Sequence, residues 1–344
     1  MLDEAVSDDV LGPLLPHLQA AIGLDPRGID RLHRALDLGS APNDAYLSLA
    51  VGRITDKVPG AQLKDLVLRI GERQGGLSVA IDILAMRLHG LRADKDSIPV
   101  EIREAGRALI DAFEFPTRSG SYHRDDYELA KIIRHSLEGA KGRSVARRLI
   151  RKLISALNKY AISAHDFGNV IRSLFQVQPL LSLDELFPKR AKSHSKALKM
   201  LESLERFEKR PLDVVSEETL FEWLAIDPAS RFPLAAATVK LYEKKIDDEH
   251  PTKWAPLAIR VLREAPDQKA VLNVFVSRLY PKSWSGSYAS TLEGRLKILR
   301  NLPVGDEDLL RDALNAAIER LENQIRKERN DEALESRKQD NRFE

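Results

Sequence analysis

The sequence predicts an all-α chain, either an α-solenoid of antiparallel helix pairs of the HEAT or armadillo kind or a compact multi-helix bundle. Three observations carry this. Apolar residues recur at intervals of three and four almost throughout, and sustained period-two alternation is hard to find. Leu, Ala, Arg, Lys and Glu dominate while aromatics make up only 6%, a mixture that favours helices over strands. Segment ends also carry helix punctuation. Asp227-Pro228, His250-Pro251, Ala265-Pro266-Asp267 and Tyr280-Pro281 each close one run and can open the next.

Taken in order, the periodic segments give helices at about 8–22, 27–38, 43–57, 60–73, 77–91, 97–113, 124–138, 142–160, 165–176, 193–209, 217–225, 229–244, 252–264, 267–280, 287–302 and 306–335. The clearest stripes come late. Trp254, Leu257, Ala258, Val261 and Leu262 share one helical face, followed by Val271, Leu272, Val274, Phe275 and Leu279, then by Leu292, Leu296, Leu299 and Leu302. Ser216 before Glu217-Glu218-Thr219 reads as an N-cap with acids in the first turn, and Ser287 as the cap of the helix through Leu292. Gly71 to Gly76 reads as a helix end and turn, because no strand precedes it. Trp284, in Ser283-Trp-Ser-Gly-Ser287, is expected in the core beside a tight turn. The last helix carries Leu309, Leu310, Ala313, Ala317, Leu321 and Ile325. It then becomes wholly charged, a tail expected to extend into solvent or fray.

Short connections place successive helices antiparallel. Two breaks are longer, Phe115 to His123 and Pro179 to Lys192. The first separates an expected N-terminal helical unit (1–115) from a repeat array (124–344), most HEAT-like over 216–335. A weak internal repeat supports the array. Arg231-Phe-Pro-Leu-Ala235 and Trp254-Ala-Pro-Leu-Ala258 each put Pro-Leu-Ala near a helix start, with Pro228 and Pro251 ahead of them. The spacing gives two-helix units of about 40 residues, the period of HEAT-like solenoids.

From Ser216 onward a further pattern emerges: Glu222-Trp223-Leu224, Asp227-Pro228-Ala-Ser-Arg231-Phe232, Trp254 to Ala258, Ala265-Pro266-Asp267, Ser283 to Ser287, Arg295 and Arg342-Phe343-Glu344. This stretch resembles the C-terminal helical-repeat region of large bacterial NTPase proteins of the STAND type, some of them anti-phage defence proteins. The resemblance implies a sensor or partner-binding region working with an NTPase or effector domain. The chain has no Gly-x-x-x-x-Gly-Lys-Ser/Thr loop of its own. It is therefore either such a repeat region without its effector or a separate protein.

Composition narrows the chemistry. With no cysteine, thiolate metal sites, disulfides and cysteine nucleophiles are excluded. The acidic start and the lack of a long apolar run predict a cytoplasmic protein without a membrane partner. No two of the eight histidines stand at metal-ligand helical spacing. His165-Asp166 offers a base and an orienting acid but reads better as a helix start. His123-Arg124-Asp125-Asp126 offers metal-ligand types, yet its acids suit a helix N-terminus. Asp247-Asp248-Glu249-His250 lacks the spacing and glycine of a calcium loop. No catalytic residue, cofactor or metal site is expected, and the chain is read as a non-enzyme.

The functional signal is basic. Between Lys131 and Lys159 lie Arg134, Lys141, Arg143, Arg147, Arg148, Arg151 and Lys152 against the single acid Glu138. Arg143, Arg147 and Arg151 fall at i, i+4 and i+8, with Arg148 and Lys152 widening the edge. Lys189, Arg190, Lys192, Lys196 and Lys199 form a second cluster. Three readings stay open: a ridge tracking a nucleic-acid backbone, a surface docking on an acidic protein partner, or a solvated face answered by acidic neighbours. The leading expectation is a scaffold for macromolecular recognition through Arg143, Arg147, Arg148, Arg151 and Lys152. The alternative is a nucleic-acid-binding repeat protein using the same ridge over 141–159. The sequence leaves the oligomeric state open.

Overall fold

Helices built on these stripes account for nearly all of the regular structure. The computed structural model describes residues 2–89, 98–117, 123–189, 194–204, 210–243, 253–305 and 308–340. The chain divides into two compact units, Met1–Val215 and Ser216–Glu344.

The first unit contains α1 (Leu2–Ala5), α2 (Leu15–Ile22), α3 (Pro26–Leu38), α4 (Gly60–Glu72), α5 (Leu77–His89), α6 (Val100–Ala112), α7 (His123–Ser136), α8 (Gly139–Asn158), α9 (Gly168–Val177), α10 (Pro179–Leu186) and α11 (His194–Ser203). Several helices touch both the next helix and the next but one. Thus α4 lies on α5 and α6, α5 on α6 and α7, and α7 on α9, while α8 lies against α6, α9 and α10. Each helix buries its apolar stripe against these neighbours, as with Leu63, Leu66, Val67 and Ile70 of α4. Helices α6 and α7 come unusually close at Gly106. A Cβ there would lie 2.0 Å from Ser136 Oγ and 2.9 Å from Ile132 Cγ2.

Several expectations need correction here. The segment 43–57 is not an α-helix but two 3-10 turns, Asn43–Ala50 and Ile54–Lys57. Gly52 and Arg53 between them adopt left-handed backbone (φ 66° and 64°), which ends any helix. The second long break is itself largely helical, because Pro179 opens α10. The expected boundary at 115–124 falls inside the first unit, since α5 and α6 pack on α7 and α6 packs on α8. The chain beyond α6 is anchored rather than free. Phe113, Phe115 and Phe167 meet edge to face at 4.8–6.4 Å between centroids. Lys152 Nζ donates to the Asp111 and Phe113 carbonyls at 2.7 and 2.9 Å, closing the end of α6.

The second unit contains α12 (Glu217–Ile226), α13 (Pro228–Thr238), a two-stranded antiparallel ladder of β1 (Tyr242–Glu243) with β2 (Lys253–Trp254), then α14 (Pro256–Glu264), α15 (Gln268–Leu279), α16 (Tyr288–Arg300) and α17 (Asp308–Asp340). Ser216 and Ser287 cap as expected, accepting from the Thr219 and Ser290 amides. Trp254 lies on β2, not on the α14 stripe. Its indole stacks near Phe275, and its N–H donates to the Ile298 carbonyl at 2.7 Å. The Pro-Leu-Ala repeat does not occupy equivalent positions, because Pro256 opens α14 whereas Pro233 lies inside α13. Pro251, Asp247 to His250 and Arg342 to Glu344 lie outside the described residues.

Two more expectations fail in this unit. Trp284 is 53% exposed and stacks on Tyr288 at 4.2 Å instead of entering the core. The charged tail stays in contact with α16 as far as Glu332, while 333–338 are exposed as expected. Helix α17 runs antiparallel along α16, with Arg300 on Glu322 and Arg329 on Glu293. Glu332 reaches the start of α16, accepting from Ser287 Oγ at 2.8 Å and the Ala289 amide at 3.1 Å. Leu309 is exposed instead of buried, and Leu310, Leu314, Ala317, Leu321 and Ile325 form the inner stripe.

Candidate functional site

The predicted basic residues lie on α8, whose inner face buries Val145, Ala146, Leu149, Ile150 and Leu153. Their outward neighbours answer them with carboxylates. Glu185 of α10 accepts from Arg147 Nε at 3.0 Å and from Arg151 Nε at 2.9 Å. Asp111 of α6 accepts from Arg148 Nε at 2.6 Å, and Glu114 pairs with Lys152 at 2.7 Å. The Asp111 bond raises the Arg148 guanidinium further above its ordinary range, and Glu185 does the same for Arg151. Among the described residues Arg143 stands exposed without an ion pair. The five ridge cations therefore face three carboxylates, and α8 is clasped between α6 and α10.

Two earlier cations of the basic run, Lys131 and Arg134, are engaged elsewhere. Lys131 is buried, pairs with Glu128 and sits 4.7 Å above the Tyr127 ring. Arg134 donates to Ser173 Oγ at 3.0 Å, and burial lowers its pKa. In the second cluster Lys196 and Lys199 are exposed on α11, while Arg190 and Lys192 lie outside the described residues.

The candidates for chemistry resolve into helix-end contacts. Asp166 accepts from the Ser163 amide at 2.7 Å in a capping box around the 3-10 turn Ala164–Phe167, the turn that carries exposed His165. Asp126 does not serve the start of its own helix. It is 3% exposed and caps α9, accepting from the Asn169 amide, Asn169 Nδ2 and the Val170 amide at 2.8–3.1 Å. Burial raises its pKa, with those donors acting in the opposite direction. The side chains of His123 and Arg124 lie outside the described residues. Among the described residues no group of three metal-ligating side chains converges, and no helix is long and apolar enough to cross a membrane.

One constellation escaped sequence reasoning. A cleft of about 420 Å³ opens between α6, the end of α7 and the start of α8, lined by Arg103, Arg107, His135, Ser136, Glu138 and Lys141 among others. Arg103 and Arg107 sit one helical turn apart on α6, far in sequence from the basic run. Their i, i+4 spacing was the available signal. Burial lowers the His135 pKa, and Arg134, Arg103 and Lys131 lower it further.

Comparison with family models, curated proteins and solved structures finds no match for this chain.

Proposed function

We propose that this chain is a non-enzymatic helical-repeat scaffold that recognises a macromolecular partner, a protein in preference to a nucleic acid. The observation that supports the repeat reading is the packing of helices on both their next and next-but-one neighbours, α4 on α6, α5 on α7 and α7 on α9. Stacked antiparallel pairs generate that pattern, because each pair buries on the following one an apolar face it cannot bury alone. A right-handed array of HEAT-like pairs is the arrangement it fits.

The choice of partner rests on α8. A backbone-tracking ridge needs cations free to replace counterions along a phosphate chain. Here Glu185, Asp111 and Glu114 hold four of the five cations. The surface offered outward is one of mixed charge, with Arg143, Arg148 and Arg151 most exposed. Such a surface suits rim contacts with an acidic protein face, where charge sets orientation and association rate. The resemblance of 216–344 to STAND-type repeat regions extends this reading to the sensor or partner-binding part of a bacterial defence system, beside an NTPase or effector.

The test is cross-linking mass spectrometry in the native host with wild-type chain and with Arg143→Glu plus Arg151→Glu. A protein cross-linked to α8 in the wild type and lost in the variant is the expected outcome. Cross-links confined to nucleic acid, or a partner unaffected by charge reversal, would overturn the assignment to α8.

A further inference from the structure

Among the described residues several partly buried cations are answered, although Arg87 and Arg295 each keep one buried nitrogen unpaired. Arg147 has Glu185, Arg87 reaches the Asp56 carbonyl, Arg278 closes the end of α13 on the Ala236 and Val239 carbonyls, and Lys152 closes α6. The cleft between α6, α7 and α8 departs from this habit. Arg103 lines it with neither an ion pair nor a hydrogen bond among the described residues, and its Nε is buried without a partner. Arg107 lends one N–H to the Ser136 carbonyl at 3.3 Å. Lys141 enters from the first turn of α8 and is unpaired among the described residues. Among the described residues the one carboxylate in the lining is Glu138. Glu104, which also feels the charges of Arg107 and Lys141, is hydrogen-bonded by Lys64.

Two further groups border the cleft. Ser136 is 2% exposed, lines the cleft and has no hydrogen-bond partner for its hydroxyl. That hydroxyl lies over Gly106, on the stretch of α6 between Arg103 and Arg107. The start of α8 has no side-chain cap, so the main chain at Ala140 and Lys141 presents the positive end of a 20-residue helix to the same space. A buried hydroxyl and a half-buried guanidinium left unsatisfied are each costly. An anion occupying the cleft would pair with the guanidinium.

We propose that this cleft binds the phosphate group of a small phosphorylated molecule. Three cations against one carboxylate match a phosphate dianion better than a single carboxylate ligand. The guanidiniums of Arg103 and Arg107 offer planar pairs of donors suited to phosphate oxygens. The α8 amides at Ala140 and Lys141 supply the neutral donors. The cleft volume of about 420 Å³ lies within the usual range of small-molecule sites. It exceeds what a phosphate needs, and Ile98 and Val100 give the remainder of the ligand apolar contact.

Calorimetric titration of the full chain with inorganic phosphate, pyrophosphate and ribose 5-phosphate tests this, with acetate as the carboxylate control. The expected result is saturable one-to-one binding of the phosphate compounds and none of acetate. Loss of one charge-assisted contact in Arg103→Gln should weaken binding about 10- to 100-fold. Lys141→Gln, at an exposed position that folding does not need, should also weaken it, whereas Arg151→Gln on the ridge should leave it unchanged. No saturable binding by any phosphate compound overturns the proposal. So does equal affinity in wild type and Lys141→Gln, or binding of random-sequence duplex through these residues where ribose 5-phosphate does not bind.

Discussion

Asp126→Ala removes the contact that fastens the start of α9 to α7, and the structure sets its cost. The carboxylate accepts from the Val170 amide at 2.8 Å, from Asn169 Nδ2 at 2.8 Å and from the Asn169 amide at 3.1 Å. Losing a helix N-cap costs about 0.5–2 kcal/mol. Leaving the Val170 N–H unpaired in the interior adds about 1–3 kcal/mol. Relief of a desolvated carboxylate, the burial that raises the Asp126 pKa, returns part of this. The net expectation is about 2–3 kcal/mol, or roughly 30- to 150-fold in the opening equilibrium. Native-state hydrogen exchange over 168–177 reads that equilibrium directly, without assuming that two units unfold as one transition. Protection should fall by that factor in Asp126→Ala and by less in Asp126→Asn, which keeps one acceptor oxygen. Protection of α9 within about threefold of wild type would refute the cap and the reasoning built on it.

Other expectations follow from the same contacts. Trp254→Phe keeps a ring beside Phe275 but removes one of the two donors to the Ile298 carbonyl, which still accepts from the Asn301 amide, and should cost about 0.5–1.5 kcal/mol in urea unfolding. Burial lowers the pKa of both His33 and His135. Their stabilising contribution is full above the ordinary histidine value of about 6.5 and declines as pH falls through it toward the depressed folded values. The melting temperature should therefore drop from pH 7 to pH 5.5, less steeply in His135→Gln. Glu185→Gln releases Arg147 and Arg151 from their shared carboxylate. It should lower the melting temperature and raise exchange in α10, and a variant as stable as wild type would show the clasp to be idle.

The helices were legible because their signals are local. Stripes on α4, α6, α8 and α15 and the caps Ser216 and Ser287 need only three- and four-residue spacing and a hydroxyl in the right place. Trp254 misled because its spacing to Ala258 mimics a helical stripe, while a contact with a carbonyl 44 residues away and a short ladder with Tyr242 decide its place. Asp126 misled for a similar reason, since an acid in a first turn looks like a local cap and only the approach of α7 to α9 turns it to another helix. The five ridge residues share one helix, as their spacing indicates, yet their partners Asp111, Glu114 and Glu185 come from segments 34–41 residues away. The cleft was the least legible of all. It draws on three helices, and nothing in the spacing of Arg103 and Arg107 indicates that Ser136 and the start of α8 meet them.

The account of α8 as a clasp with a protein-facing surface is tested most directly by fluorescence anisotropy. The full chain is titrated into labelled random-sequence duplex DNA and single-stranded RNA, at low and at physiological salt. At physiological salt the account predicts no binding, and at low salt only weak binding that Arg147→Glu plus Arg151→Glu does not alter. Micromolar, salt-sensitive binding abolished by that double variant would contradict it and make the ridge a nucleic-acid site.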